Sequence, residues 1–353
     1  MDPTPDLRAT IRAMPKIELH RHLEGSLRLE TLVAVARQYS LDVPAYTADA
    51  LRPHVQIMPD SPATVAHFLS KFAVLRQFYC APEVIQRIAR EAVEDAAADN
   101  IQYMELRFTP KALARLKGFS FQDVVRWVCD AVDEAQRATG IRVRLIVALN
   151  RHESVIEGEQ MVRAALDHRD RGVVGLDLCG QEQGFPANPF AGMFREAHQD
   201  GMHITIHAGE WAGPSNIRYA IEHVSAERIG HGVRIFEDES IVGLARQAGV
   251  CFEVCPTSNL QSGVFPDITD HPIRAMCDEG LRITLNTDDP SISAITLSDE
   301  LMLAVEAFGF SLEEIKAHMI AAAESVFLPD DERAGLVAHF RLGLALPPHA
   351  PPI

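Results

Sequence analysis

The sequence predicts an α/β fold, a (β/α)8 TIM barrel with an inserted helical lid segment. Three observations carry that expectation. Eight short apolar segments alternate with stretches of helical periodicity, and such alternation means parallel strands. The chain has 353 residues, within the range one barrel uses. The turn after the first strand, HRHLEGSL, lacks the glycine-rich phosphate loop that an open doubly wound sheet places there.

The elements follow in order. Ile17–Leu23 reads as a strand, and Arg28–Tyr39 as a helix with Leu29, Leu32, Val33 and Ala36 on one face. Residues 44–80 exceed an ordinary βα loop and are read as a lid over the barrel mouth. Pro82 opens a helix, where its missing N–H costs nothing, and Ile101–Phe108 follows as a strand. Ser120 and Asp123 resemble a helix-starting cap, with Gly140 past the end. Val143–Leu149 is nearly unbroken apolar sequence, as a strand buried on both faces requires. Further strands are expected at Val173–Leu178, His203–His207, Arg228–Gly230, Val250–Cys255 and Arg282–Asn286. Residues 1–353 are read as one domain, with 347–353 as a disordered tail.

Composition narrows the function. Basic residues number 33 and acidic residues 49, a net charge of −16. That balance offers no footprint for nucleic acid or an anionic membrane. No apolar run approaches the roughly 18 residues of a membrane span, and the first residues lack a signal-peptide core. Six scattered cysteines without a CxxC pair fit a reducing compartment, so the expected location is cytoplasmic. The oligomeric state is left open.

In a barrel, chemistry gathers at the C-terminal strand ends. The first strand ends in His20-Arg21-His22, and a period of two puts both imidazoles on one face. The fifth ends in His207-Ala208-Gly209-Glu210, the sixth in Gly230-His231-Gly232, and the eighth in Asn286-Thr287-Asp288-Asp289. Each fragment alone has an ordinary structural explanation. Four strand ends placing such groups at one mouth together point to a metal site. No lysine lies between 118 and 315, which excludes a carbamylated-lysine bridge. Asp177 is a conceivable bridge but reads better as structural, so a mononuclear Zn2+ site is expected, one ion per chain. Zinc with an open position makes hydroxide near neutral pH, and a general acid must then protonate the electrophile or leaving group. Glu210, Asp289 and His231 are the acid–base candidates.

The motifs Glu18-Leu-His-Arg-His-Leu-Glu24, His207-Ala-Gly-Glu210, Arg228-Ile-Gly-His-Gly232, Cys255-Pro-Thr-Ser-Asn259 and Leu285-Asn-Thr-Asp-Asp-Pro290 resemble the adenosine deaminase family of the amidohydrolase superfamily. The resemblance runs from Leu19 to Leu328. It implies hydrolytic replacement of a purine 6-amino group, with a small-molecule 6-aminopurine as substrate. It makes His20, His22, His207 and Asp288 the zinc ligands, and places His22 against the substrate as well. Glu210 corresponds to the donor of a proton to purine N1, and His231 to the histidine that orients and deprotonates the water. Asp289 corresponds to the carboxylate that holds the resulting hydroxide, and Gly180 to the glycine whose N–H reaches purine N3. Glu24 departs from the pattern, since adenosine deaminases carry Asp there to contact the ribose. In that respect the chain resembles adenine deaminases and some bacterial aminodeoxyfutalosine deaminases, although Gly175–Glu182 resembles the nucleoside-deaminase version.

Other residues carry weaker expectations. Glu18 is read as half of a buried ion pair with Arg107, or as a support for the histidines. Phe68, Leu69 and Phe72 could wall a purine pocket or merely face the core. Trp211 could line the mouth. Cys251 and Cys255 are read as buried thiols. Ser258 and Asn259 are read as supporting or helix-capping residues.

Overall fold

The computed structural model describes residues 6–346, so the expected tail at 347–353 lies outside the described residues. Eight parallel strands hydrogen-bond in sequential order. They are β1 Lys16–His22, β2 Ile101–Phe108, β3 Arg142–Asn150, β4 Val173–Cys179, β5 His203–Ala208, β6 Arg228–His231, β7 Cys251–Val254 and β8 Arg282–Leu285. Helices connect them, giving the expected (β/α)8 barrel.

Closure between β8 and β1 depends on side chains as well as backbone. Asn286 Oδ1 accepts the N–H groups of Leu19 (2.8 Å) and His20 (3.1 Å). One residue pair further, Asp288 N–H donates to His20 O and His22 N–H donates to Asp288 O, at 3.0 and 2.8 Å. The seam therefore delivers Asp288 directly beside the two β1 histidines.

Local signals explain the boundaries. Pro82 is the first residue of the helix Pro82–Ala98. Ser120 accepts from Asp123 N–H and starts Phe121–Thr139, which stops at Gly140 with φ +80°. Leu23 leaves the first strand and begins a short 3-10 turn over Leu23–Gly25. Residues 44–80 hold the helices Ala48–Val55 and Val65–Leu75 and the turn Arg76–Phe78.

The opposite end of the barrel is closed by Lys16, which is buried and donates to the carbonyls of Ile11, Arg12 and Met14 at 3.0–3.1 Å. Burial lowers its pKa to about 8.

Candidate active site

Inside the barrel, alternate strand residues point inward and form a charged layer beneath the mouth. Arg107 on β2 donates to Asp177 on β4 (3.0 Å) and to Glu253 on β7 (2.7 Å). Arg228 on β6 donates to Glu253 (2.6 Å) and Glu105 (2.5 Å). All five side chains are buried. The layer also reaches upward. Glu253 lies 2.7 Å from His20 Nδ1, and Asp177 lies 3.0 Å from His207 Nδ1. Each carboxylate thereby holds a histidine by one nitrogen and turns the other toward the mouth. The expected Glu18–Arg107 pair does not form. Glu18 meets Arg21 at 3.4 Å and accepts from Thr287 N–H at 3.0 Å, while Arg107 is taken up by Asp177 and Glu253.

Above this layer the four candidate ligands converge. His20 Nε2 is 3.1 Å from Asp288 Oδ1, and His22 Nε2 is 3.4 Å from it. His22 and His207 present Nε2 to each other at 3.4 Å. Ser258 donates to the other oxygen of Asp288 at 2.6 Å. Buried His20 Nε2 makes no hydrogen bond among the described residues and faces only the Asp288 carboxylate, the arrangement of two groups that can share a cation. His20, His207, His231 and Asp288 form one group able to hold a metal ion, and His22, Asp177 and His207 an overlapping one. Gly230 makes room here, because a Cβ on it would press to 3.1–3.2 Å on the rings of His207 and His20. His231 and Asp288 both adopt left-handed backbone, φ +59° and +62°, an uncommon state for non-glycine residues that concentrates at functional sites.

Glu210 stands beside this group, its Oε2 3.6 Å from His231 Nε2. Its position is set by Glu182, whose carboxylate accepts the N–H groups of Gly209, Glu210, Trp211 and Ala212 at 2.6–3.0 Å. A relay behind it fixes the polar orientation. Ile273 N–H donates to His271 Nδ1, so His271 Nε2 donates to Asn259 Oδ1. Asn259 Nδ2 is then directed at Glu210 Oε1 (3.2 Å) and His231 Nδ1 (3.1 Å). Burial, with Asp288 and Glu182 nearby, raises the Glu210 pKa well above the usual carboxyl range. Burial keeps His231 neutral by lowering its pKa well below the usual imidazole value.

These groups open into a cavity of about 240 Å³. His22, His207, Glu210, His231, Asp288, Asp289, Gly180 and Glu24 all line it. Gly180 has φ +82°, and a Cβ there would stand 2.8 Å from His152 Nδ1, so glycine is required. Glu24 accepts from Thr109 N–H at 2.7 Å through Oε1, while buried Oε2 has no partner. Burial raises its pKa to about 7. Asp289 is likewise raised, by burial first and then by Asp288, Glu24 and Glu210. Phe68, Leu69 and Phe72 wall the cavity, and Trp211 lines it. Cys251 and Cys255 are buried, unpaired thiols.

Sequence reading brought together the candidate ligands, Glu210, Asp289, Gly180 and Glu24, but missed the cavity-lining Arg76, Thr109, Asn150 and His152 and the supporting Glu182, Glu253, Arg228 and His271. Glu182 ends the Gly175–Glu182 stretch singled out for Gly180, which was its one available signal.

The chain is similar to several known proteins. The family profile described as Adenosine deaminase matches residues 15–341. An adenosine deaminase of Escherichia coli is 36% identical over 323 residues, covering 92% of this chain and 96% of that protein. A Burkholderia ambifaria amidohydrolase solved with bound Zn superposes with a TM-score of 0.86 at 28% identity, covering 98% of this chain and 94% of that one. An adenine deaminase of Arthrobacter aurescens gives 0.83 at 26% identity, covering 94% and 100%. An N6-methyl-AMP deaminase of Arabidopsis thaliana gives 0.83 at 28%, covering 95% and 98%.

Proposed function

The chain belongs to the adenosine deaminase family, and from that premise we propose that it hydrolyses the 6-amino group of adenosine or a related 6-aminopurine nucleoside, releasing ammonia. The observation that carries this is the Glu210 carboxyl. It is buried, has a raised proton affinity, and shares a cavity with the histidine–aspartate group. A purine C6 resists attack until N1 is protonated, and a carboxyl that keeps its proton at neutral pH supplies that proton.

In this reading Glu210 hands its proton to N1. Asn259 Nδ2 steadies the carboxylate left behind. His231 receives an N–H from Asn259 at Nδ1, so its neutral ring carries hydrogen on Nε2. Of the two duties that the resemblance gives His231, this contact supports orienting the water. Asp289 has the raised proton affinity of a base, and Gly25 packs so closely that a Cβ would meet its Oδ1 at 1.9 Å. Asp289 takes one proton from the attacking water and returns it to the departing amine. The remaining hydroxyl proton restores Glu210 as the carbonyl forms, so one water enters and one ammonia leaves. Gly180 N–H reaches for purine N3, and His22 and Glu24 border the substrate.

His20, His22, His207 and Asp288 would hold one Zn2+. Three of the separations among their ligand atoms are 3.1–3.4 Å, close enough for these groups to share one ion. Bound there, zinc supplies Lewis acidity that makes water nucleophilic near neutral pH. Residues 1–353 act as one domain in this reading, with the helices of 44–80 walling the site. No helix among the described residues is long and apolar enough to cross a membrane. The six unpaired cysteines support a cytoplasmic location.

The test is ammonia release from zinc-loaded protein with adenosine, 2′-deoxyadenosine, adenine and aminodeoxyfutalosine. Turnover of any of them is expected, and none on all four would overturn the reading. Glu24 motivates the second reading, an aminodeoxyfutalosine or adenine deaminase. Glu24 lines the cavity and its buried Oε2 has no hydrogen-bond partner among the described residues, and preference for aminodeoxyfutalosine or adenine over adenosine would favour this reading.

A further inference from the structure

His231 belongs to two arrangements that exclude each other. With Glu210 it borders the cavity, its Nε2 3.6 Å from Glu210 Oε2. With His20, His207 and Asp288 it also forms a group whose ligand atoms all lie within 4.8 Å of one another. An ion held by His20, His22, His207 and Asp288 would therefore have a further imidazole within reach. Catalytic zinc sites keep one position open for water. An added imidazole would fill it.

One hydrogen separates the two arrangements. A neutral imidazole carries its hydrogen on one nitrogen and a lone pair on the other, and only the lone pair binds a metal. Asn259 faces His231 Nδ1 at 3.1 Å. An amide N–H there makes Nδ1 the acceptor and puts the ring hydrogen on Nε2, which closes that nitrogen to a metal. An amide oxygen there would make Nδ1 the donor and free the Nε2 lone pair. The two ends of an amide are nearly equal in shape, so packing around Asn259 does not choose between them.

His271 makes the choice. Ile273 N–H, a backbone donor whose role is fixed, points at His271 Nδ1 at 3.2 Å. Burial lowers the His271 pKa to about 3, so the ring is neutral and its hydrogen is on Nε2. That hydrogen goes to Asn259 Oδ1 at 3.3 Å. Turning the amide would set its NH2 group against this donor. Both side chains are buried, so the unmet donor would have no water to turn to. The flanking rings of Phe265 and Phe308, with centres 5.1 and 5.5 Å away, provide no replacement acceptor. His271 itself does not line the cavity.

We infer that His271 keeps His231 off the metal. It is a positioning residue that acts through Asn259, fixing the ring hydrogen of His231 on Nε2. The ion is thereby left to His20, His22, His207 and Asp288, and His231 is left to the water. The inference rests on the metal-dependent deaminase reading of the site and adds what prevents a competing ligand set.

The experiment reads the tautomer directly. Full-length, zinc-loaded enzyme with 15N-labelled histidine is measured by two-bond 15N–1H correlation NMR, and the His231 signals are those lost in His231→Gln. The parent should show hydrogen on Nε2 of His231. Asn259→Asp presents only oxygens and should move that hydrogen to Nδ1. His271→Phe keeps a ring between Phe265 and Phe308 but removes the donor, and should move it in part. Both variants should lower kcat about 10–100-fold with KM changed far less. Both should alter the visible spectrum of the cobalt-loaded enzyme as an imidazole joins the ion. His271→Gln, whose amide can donate to Asn259, should restore most of the rate and the tautomer of the parent. Hydrogen on Nδ1 in the parent overturns the inference, as does hydrogen on Nε2 in both variants. An unchanged cobalt spectrum in a variant whose hydrogen has moved overturns it too. If His271→Phe does not fold, Asn259→Asp gives the same decision. Absence of turnover by the parent on adenosine, 2′-deoxyadenosine, adenine and aminodeoxyfutalosine removes the deaminase reading instead, and the tautomer and the cobalt spectrum still decide the role of His271.

Discussion

Two adjacent layers of the barrel are equally dry and differently finished. In the interior layer every oxygen of Glu105, Asp177 and Glu253 has a partner within the chain, and of the two arginines only Arg107 leaves an atom, Nε, without one among the described residues. One level up, Glu24 Oε2 and Asp289 Oδ1 are buried and have no hydrogen-bond partner among the described residues, and His20 Nε2 has only the Asp288 carboxylate 3.1 Å away. Burial alone therefore does not distinguish structure from function here. A nearly satisfied network stabilises a geometry, whereas unsatisfied carboxylate oxygens lining a cavity are open to a ligand. The two layers meet at two histidines, each gripped from below by a carboxylate and open above.

The largest expected effect falls on the upper layer. Glu210→Gln keeps the shape and the contact with Asn259 but removes the proton. Turnover should fall about 10²–10⁴-fold, with metal content and melting temperature unchanged or the latter slightly raised. A rate near that of the parent would remove Glu210 as proton donor. A marked fall in melting temperature would break the comparison, because the carboxyl would then be structural.

Glu253→Gln tests the lower layer. Glu253 accepts from Arg107, Arg228 and Thr205 and holds His20. Leaving two buried guanidinium groups short of a counter-charge should cost about 3–5 kcal/mol, read as a lower melting temperature, and should lower bound metal as His20 loosens. Full stability in this variant would mean that the layer is not cooperative. Asp177→Asn is milder, because the amide can still accept from Arg107. His207 loses its charged support, so metal affinity should weaken about 10–100-fold, measured by competition with a chelator. Unchanged affinity would separate the two layers energetically.

The upper layer was legible in the sequence and the lower one largely was not. Histidines and aspartates at strand ends announce themselves, since the barrel topology places every such end at one mouth and the residue types are chemically distinctive. The eight strands were legible for a similar reason, with no end moved by more than one residue, as at β1, where Lys16 enters and Leu23 leaves. The lower layer depends on which inward side chains meet across the barrel. Arg107 finds partners 70 and 146 residues away, a matter of strand register and stagger that local pattern does not contain. Pairing it with Glu18 rested only on the rule that buried charges find partners, whereas Glu18 serves the β8 seam through Thr287. Glu182 was hidden because its task is to gather backbone N–H groups, which have no sequence signature.

Glu300 sharpens the comparison with the smallest effect. It resembles Glu24 in being a buried carboxyl with one oxygen bonded to a backbone N–H, Thr257 at 3.0 Å, and the other without a partner. It differs in standing outside the cavity lining, so no substrate can complete it. Burial raises its pKa from 4.5 to about 8. The folded chain therefore keeps a proton that the unfolded chain releases. The stabilisation from that proton is fully present below the unfolded value of 4.5 and is lost as pH rises through about 8. Glu300→Gln does not ionise, so its melting temperature relative to the parent should climb with pH. Between pH 7 and pH 9 the relative gain should be at most about 1.4 kcal/mol, with substrate preference unaltered. A gain that is flat with pH would show that Glu300 ionises normally in the fold. A changed substrate preference would extend the ligand-facing region past the cavity, and an unpartnered oxygen would then mark the site wherever it occurs rather than only where the barrel opens.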